Sequence, residues 1–153
     1  DTVRRQRQMC IRDSTKSMLA VWKDWGLDDL LHKAYKNGVV MSGVSAGANC
    51  WFESAVVDSW ADDLQVINCM GFVKGNYCPH YDEEPQRRPS VKKFLEDEVF
   101  DSCFSSEGNS ALHIKNESDY LSINFGKEKK SYKVSLVNGK VMEVPFENLT
   151  ITS

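Results

Sequence analysis

A serine in a turn of small residues is best placed in this sequence for nucleophilic chemistry. Residues 43–47 read Gly-Val-Ser-Ala-Gly, so Ser45 has a glycine two positions away on each side. An apolar run, 38–41, precedes the turn, and an apolar, helix-compatible stretch, 48–52, follows it. Strand, tight turn, serine and helix is the arrangement of a nucleophile elbow. The motif is short, so a glycine-rich turn with an N-cap serine and a phosphate-binding turn both stay open as alternatives.

A serine hydroxyl needs a base to accept its proton, and histidine is the usual base. The sequence has three histidines. His32 lies in an amphipathic helical pattern and His113 in a predicted strand, where packing is the commoner role. His80 follows Pro79 in a loop with acidic residues close behind, and functional residues concentrate on such loops. We therefore predict His80 as the base.

A carboxylate should orient the imidazole, and Asp58 is the first candidate for that role. Asp58 lies between Ser45 and His80 in the chain, after a short apolar run that places it at a strand end. Asp62 and Asp63 compete with it, while Glu53 is too close to Ser45. Any one of these acids is also compatible with a solvated surface position.

The elements that must position these residues belong to a chain of 153 residues with 41% hydrophobic and 27% charged residues. That length and composition predict one soluble globular domain with a real core. The net charge of −3 gives no basic face for nucleic acid. No apolar run approaches the roughly 20 residues of a membrane helix. The five cysteines are widely spaced without a C-x-x-C motif, which predicts free thiols in a reducing cytoplasm and no zinc site.

Helical spacing of apolar residues covers residues 15–37 and predicts two helices broken at Gly26, with Asp28 capping the second. Residues 39–42 form a predicted short buried strand before the serine turn, and a helix should run from Ala46 to Glu53. A strand should lie within 71–82, and a helix should follow Pro89.

Later residues alternate in the manner of strands. Two are predicted at 100–104 and 111–114, and a β-meander at 120–125, 131–137 and 141–144. Asn138-Gly139 is a strong two-residue hairpin signal. Helices and strands alternate in the first part of the chain, and hairpins follow in the last part. This order predicts an α/β fold, with a partly parallel sheet flanked by helices and a C-terminal antiparallel hairpin or meander.

Several motifs in order give a more specific resemblance. The segments at 43–53, 58–59, 71–75, 78–82 and 87–89, together with the helical segment 15–28, resemble the peptidase E branch of the S51 serine peptidases. The resemblance runs from about Thr15 through Ile114. It implies a fold like the class I glutamine amidotransferases (flavodoxin-like), with a serine in place of their cysteine. It also implies hydrolysis of short peptides, characteristically Asp-X dipeptides, without a metal or organic cofactor.

The resemblance supports Ser45 as nucleophile, His80 as base and, with less agreement among family members, Asp58 as the acid. The N–H of Ala46 would stabilise the oxyanion. Arg87, Arg88 and Asn49 are candidate substrate-binding residues, since arginines hold carboxylates by bidentate bonds. A solvated or structural pair is the alternative for the two arginines. The turn at 107–109 resembles a family segment near the active site.

The sequence departs from the family pattern before Thr15. The upstream strands and the glycine-rich loop of the family are absent there, and residues 6–14 resemble translated sequencing-adapter read-through. We therefore expect residues 1–14 to be a non-native or disordered extension, and 15–153 to be a single α/β hydrolase-type domain lacking its N-terminal strands. Loss of one oxyanion donor costs on the order of a hundredfold in rate. We expect this chain to be poorly folded or nearly inactive.

Two rival functions remain open beside the dipeptidase. One is a cyanophycinase-like hydrolase that cuts β-aspartyl links, and the other is a binding or sensing domain of the same fold without a working triad. The expected partner is a short peptide substrate, with neither nucleic acid nor a membrane, and a homodimer is the assembly considered. The expected location is the cytoplasm.

Overall fold

A computed structural model describes residues 14–58, 63–125 and 128–151, with the side chains of Thr150 and Ile151 left out. The chain divides into two compact units, residues 1–74 and 75–153. The division falls within the third strand. The elements run in the order α1 (Thr15–Asp24), α2 (Leu27–Lys36), α3 (Ala46–Asn49), β1 (Phe52–Val57), β2 (Gln65–Asn68), β3 (Val73–Cys78), α4 (Arg87–Glu96), β4 (Ser102–Ser106), β5 (Ser110–Lys115), β6 (Asp119–Phe125), β7 (Ser131–Val137), β8 (Lys140–Pro145) and β9 (Asn148–Ile151).

The first two helices confirm the break predicted at Gly26. The side chain of Ser14 accepts a hydrogen bond from the Ser17 amide and so caps α1. Gly26, with φ of 66°, occupies the N-cap position of α2 and supplies the left-handed backbone that the tight junction requires. The prediction that Asp28 caps α2 was wrong, because Asp28 lies inside the first turn of the helix, where its charge still complements the helix dipole.

The segment before the serine turn differs from its prediction. Residues 39–42 are not a buried strand: Val39 is 53% exposed and Val40 is 87% exposed. An apolar run becomes a strand only when a neighbouring strand satisfies its backbone groups, and no described strand pairs with this run. The helix predicted from Ala46 to Glu53 ends at Asn49, since β1 begins at Phe52.

The first unit contains the buried strand β1 and an aromatic cluster around the buried Phe72. β1 pairs antiparallel with β2, with Ala55 opposite Ile67. Four of its residues, from Ser54 to Val57, are buried in succession, as a strand covered on both faces requires. Phe72 stacks on Trp51 at 5.3 Å and on Tyr35 at 5.2 Å between ring centroids.

The second unit contains a mixed sheet in which β3 pairs parallel with β4, β4 antiparallel with β7, and β7 antiparallel with β8. The α4 helix buries Val91 and Leu95. The predicted partly parallel α/β sheet and the hairpin at Asn138-Gly139 are confirmed, and the positive φ angles of 50° and 73° at these two residues are those of the primed turns that hairpins favour.

The predicted three-stranded meander was only partly right. The strand β6 belongs to a separate sheet, in which it pairs antiparallel with β5 and parallel with β9. Tyr120, Phe104 and Phe146 pack together, with ring centroids 5.0–6.0 Å apart. Alternation of apolar residues predicts a strand but not the sheet that the strand joins. The aromatic residues packed here lie far apart in the sequence, so no local pattern predicts their contact.

Four cysteines lie in the described part of the chain, and all four are free thiols. Burial raises the pKa of Cys50, Cys69 and Cys78 to about 12, and that of Cys103 well above its usual value. No described helix is both long enough and apolar enough to cross a bilayer. The predicted extension, residues 1–14, lies outside the described residues except for Ser14.

Candidate active site

Ser45 occupies a backbone conformation that L-amino acids rarely adopt. Its φ of 53° and ψ of −119° match the first central position of a type II′ turn, which favours glycine. The residue stands at the N-cap position of α3, but its side chain makes no capping hydrogen bond to the helix. A serine held in a strained conformation without a capping role is typical of a functional site.

Gly43 allows the serine turn to close. A Cβ atom at Gly43 would overlap the carbonyl group of Gly47 and lie 2.9 Å from the nitrogen of Ala48. A Cβ at Gly47 would meet no atom within 4 Å. The two glycines of the motif therefore differ: Gly43 is required by close approach of the backbone, and Gly47 is not required on steric grounds.

The amides that follow Ser45 are arranged as in the first turn of a helix. The N–H of Gly47 donates to the carbonyl of Val44, and that of Ala48 to the carbonyl of Ser45, each at 2.9 Å. The N–H of Ala46 makes no hydrogen bond with the described part of the chain. It is thus the first amide after the serine that a ligand oxygen can use.

Asn49, a candidate substrate-binding residue, is 4% exposed. Its Nδ2 donates to the Thr15 hydroxyl at 3.1 Å, which ties α1 to α3. Its Oδ1 is buried and accepts no hydrogen bond from the described residues. A buried amide oxygen without a hydrogen bond costs free energy. The hydrogen bond to Thr15 shows that Asn49 supports the helix that follows the serine turn.

His80 lies in a tight turn after β3, with φ of 55°. Its carbonyl accepts hydrogen bonds from the amides of Glu83 and Glu84 at 3.2 and 3.3 Å. Its Nδ1 lies 2.7 Å from Oε2 of Glu83. Acidic residues close behind His80 are evident in the sequence, but Glu83 was not predicted as its partner. The three-residue spacing within a turn was the signal that could have identified it.

The turn that carries His80 is fastened to the turn at 107–109. Asp82 Oδ1 accepts a hydrogen bond from the Gly108 amide at 2.8 Å, and its other oxygen pairs with Lys129. Desolvation raises the pKa of Asp82, but the hydrogen bonds from Lys129 and Gly108 outweigh it, so the net pKa is lowered. The amide of Tyr81 donates to the carbonyl of Ser106 at 3.0 Å.

The two arginines differ in accessibility. The Arg87 side chain is 4% exposed, and its Nε donates to Glu84 at 2.7 Å. The Arg88 side chain is 43% exposed, and its Nη2 donates to Glu107 at 3.1 Å. The Arg88 guanidinium also lies 4.7 Å from the ring centroid of Tyr81. Both arginines thus have the contacts of a structural pair, and Arg88 is the more accessible to a ligand.

The other candidate acids and histidines lie outside these two turns in the sequence. Asp58 follows β1 directly and is exposed, as is Asp63, while Asp62 lies outside the described residues. His32 is an exposed residue of α2 whose ring meets Phe72 edge-on at 4.2 Å. His113 is exposed on β5. Ser45, Ala46, Asn49 and Asp58 belong to the first unit, and His80, Arg87 and Arg88 to the second.

Acids, histidines and cysteines are the side chains that most often bind metal ions. Within residues 14–58, 63–125 and 128–151, no three of them are grouped so as to hold a metal ion. The serine turn and the histidine turn offer a serine, a histidine, carboxylates and backbone amides for chemistry.

Comparison with known proteins agrees with the motif analysis. The sequence model for Peptidase family S51 matches residues 14–121. A protein of Bacillus subtilis (strain 168), "Uncharacterized peptidase YgaJ", is 39% identical over 133 residues, which is 87% of this chain. The aligned region spans 57% of the length of that relative. The match covers the serine turn and the turn of His80, and it confirms the family that the motifs indicated.

Proposed function

Because the chain belongs to peptidase family S51, we propose that it is a serine-type peptidase in which Ser45 is the nucleophile and His80 the general base. The observation that carries this proposal is the conformation of Ser45. Its φ of 53° and ψ of −119° hold the serine at the start of α3 without a capping hydrogen bond. Strain of this kind persists only where the surrounding structure enforces it, and it concentrates at active sites.

In the proposed reaction, Ser45 Oγ attacks the carbonyl carbon of the scissile peptide bond while His80 accepts the hydroxyl proton. The tetrahedral intermediate carries an oxyanion, which the Ala46 N–H stabilises. His80 then returns the proton to the leaving amine, and an acyl-enzyme forms on Ser45. Water, activated by His80, hydrolyses the acyl-enzyme and releases the second product. The proposed reaction requires no metal or organic cofactor.

We propose short peptides as substrates, with Asp-X dipeptides as the first choice, and a fold of the class I glutamine amidotransferase type. Both follow from the resemblance to the peptidase E branch. An aspartyl substrate presents carboxylates, and the exposed Arg88 is the side chain suited to hold one, provided that the substrate competes with Glu107 for the guanidinium. Asp58 stays the acid proposed from the sequence, and the cytoplasm stays the proposed location.

A fluorophosphonate probe tests the proposed nucleophile. It reacts covalently with an activated serine, and a single labelling event suffices, so the result can be read even if turnover is slow. We expect labelling of the wild-type chain that is lost in Ser45→Ala, by at least about 10³-fold. Ser42→Ala is the matched control, since Ser42 lies three residues earlier and is exposed.

The outcomes separate the rival functions. Equal labelling of wild type and Ser45→Ala would contradict Ser45 as the nucleophile, and no labelling of a full-length version of the protein would favour a binding or sensing domain. A panel of α-aspartyl and β-aspartyl dipeptides then distinguishes the two enzymes. Cleavage of the α-linked peptides alone supports the Asp-X dipeptidase, whereas cleavage of the β-linked peptides alone favours the cyanophycinase-like activity.

A further inference from the structure

The C-terminal hairpin reaches the histidine turn through a side-chain hydrogen bond. The hydroxyl group of Tyr81, the residue after His80, donates to Oε1 of Glu143 on β8 at 2.7 Å. Tyr81 and Glu143 are 62 positions apart in the sequence. We infer that this hydrogen bond is a latch by which the β7–β8 hairpin holds the histidine turn, and that Glu143 is thereby a positioning residue. The inference rests on the proposed peptidase function.

The latch is made in the interior of the second unit. Tyr81 is 1% exposed. Burial, followed by the hydrogen bond to Glu143, raises the pKa of its hydroxyl group well above the usual value, so the group is a neutral donor. A buried hydroxyl without an acceptor costs free energy, because it has lost its hydrogen bonds to water. The side chain of Tyr81 is therefore held in one place while Glu143 accepts its proton.

Arg88 contacts both partners of the latch. Its guanidinium lies 4.7 Å from the ring centroid of Tyr81 and 5.7 Å from that of Tyr132 on β7. Its Nη1 lies 3.5 Å from Oε2 of Glu143. The side chains of Arg88 and Glu143 are 43% and 31% exposed, so water weakens their ion pair. The hydrogen bond to the buried Tyr81 is thus the stronger link between the hairpin and the turn.

The backbone transmits the constraint from Tyr81 to His80. The amide of Tyr81 donates to the carbonyl of Ser106 at 3.0 Å, so the main chain directly after His80 is fixed to β4. His80 has a φ of 55°, a conformation that persists only where the surroundings enforce it. With the amide and the side chain of Tyr81 both held, the peptide group between the two residues keeps one orientation. The placement of the His80 ring follows from that orientation.

The hairpin that supplies Glu143 lies after the region that the family model matches. That region ends at residue 121, and β7 begins at Ser131. The match to the family model therefore does not predict this contact. The strand register explains how the hairpin presents the acid, because Glu143 is opposite Val134 on β7, which is fully buried. Directly opposite residues of an antiparallel pair share a face, so Glu143 lies on the covered face of the hairpin.

Three variants separate the hydrogen bond from the ion pair. Tyr81→Phe removes only the hydroxyl oxygen. Glu143→Ala removes the acceptor and leaves the buried hydroxyl without a partner. Glu143→Gln keeps an acceptor oxygen for Tyr81 and loses the charge that faces Arg88. We therefore expect the first two variants to loosen the histidine turn and Glu143→Gln to preserve it.

The first measurement is the ¹H–¹³C spectrum of the histidine rings, which requires no activity. The chain has three histidines, and His80→Gln identifies the signal of His80. We expect Tyr81→Phe and Glu143→Ala to shift or broaden that signal, and Glu143→Gln to leave it in place. Glu96→Ala, which removes an exposed carboxylate of α4, is the matched control and should leave it unchanged. The signal of His113, exposed on β5, should stay constant, whereas unfolding would move it as well.

The second measurement is the turnover of a dipeptide that the wild type cleaves. A catalytic group displaced by about 1 Å can cost about a hundredfold in rate. Because Ser106 still holds the main chain, we expect kcat to fall about tenfold in Glu143→Ala and about threefold in Tyr81→Phe, with KM changed less than about twofold. In the double variant the two effects should not add, since both act on one contact. Glu143→Gln should keep kcat within about twofold of the wild type.

The results decide the latch and the peptidase function separately. A His80 signal that stays in place in both Tyr81→Phe and Glu143→Ala overturns the latch. A shift in Glu143→Gln as large as in Glu143→Ala, with Tyr81→Phe unchanged, assigns the constraint to the ion pair with Arg88 and also overturns it. If Glu143→Ala does not fold, Tyr81→Phe decides, because that variant loses a single oxygen atom.

The catalytic consequence has its own outcomes. If the His80 signal shifts as expected but a full-length version of the protein neither hydrolyses dipeptides nor takes the fluorophosphonate label, the proposed peptidase function fails while the latch stands. An unchanged kcat in Glu143→Ala, measured on an active wild type, would overturn the positioning role of Glu143.

Discussion

The serine turn and the histidine turn each hold one residue at a positive φ, and they do so by different means. Ser45 and His80 both have positive φ angles, 53° and 55°. The serine turn depends on close approach of backbone to backbone at Gly43. The histidine turn depends on hydrogen bonds, both within the turn and to Gly108. Ser45 is therefore held by close contact of backbone with backbone, and His80 by backbone hydrogen bonds together with the side chain of Asp82.

This difference decides how far each turn could be predicted. The Gly-x-Ser-x-Gly spacing contains Gly43 and Ser45, the two residues at which the serine turn closes, so a local motif was enough to predict the turn. The support of His80 comes from Gly108 and Lys129, residues 28 and 49 positions later in the sequence. No local pattern names such partners. The contact of Glu83 with His80 was within reach of sequence reasoning, because the two lie three residues apart in a turn. Asp58, the acid predicted from the sequence, stays a prediction.

The fold shows the same limit. The helix break at Gly26 and the hairpin at Asn138-Gly139 were predicted because their signals are local. The assignment of β6 to a second sheet and the exposure of Val40 were not, because each depends on which strand lies beside another. An apolar run predicts that a strand is favoured, and a partner strand decides whether it forms.

The largest expected effect in the serine turn is that of Gly43→Ala. Its methyl group would overlap backbone atoms of Gly47, which cannot move away as a side chain can. We expect a loss of about 2–3 kcal/mol in the free energy of unfolding and loss of fluorophosphonate labelling. Urea unfolding, followed by tryptophan fluorescence, measures the first.

Gly47→Ala is the matched control for that change. Its methyl group meets nothing within 4 Å, and alanine favours the helical conformation, so stability should be kept or rise by up to about 1 kcal/mol. If the two variants unfold at the same urea concentration, close backbone approach is not what shapes the turn.

A second prediction concerns the strain at Ser45. Glycine adopts the observed φ and ψ without strain, so Ser45→Gly should be more stable than Ser45→Ala by about 1–2 kcal/mol. Both variants should lack hydrolytic activity. Differential scanning calorimetry compares the unfolding temperatures of the two variants and does not depend on their activity. Equal unfolding temperatures would show that the backbone at this position stores no strain.

The smallest expected effect is in the histidine turn and depends on pH. The pKa of Asp82 is lowered in the folded state, so its carboxylate stabilises the fold above its unfolded pKa of about 3.9. This contribution is lost as the pH falls through the lower folded value. Asp82→Asn should therefore cost up to about 1 kcal/mol at pH 7, and nothing at a pH below the lowered pKa of Asp82. A constant difference between wild type and variant at both pH values would contradict the ion pair with Lys129.

The burial of the thiols has a consequence for chemical reagents. With a pKa of about 12, Cys50, Cys69 and Cys78 carry a thiolate fraction of about 10⁻⁵ at pH 7. Alkylating agents react with the thiolate, so iodoacetamide should modify these three positions only slowly. Pretreatment with it should leave the reaction of Ser45 with a fluorophosphonate unchanged. A reagent that reacts with Ser45 should therefore report on the serine while Cys50, Cys69 and Cys78 stay almost unmodified.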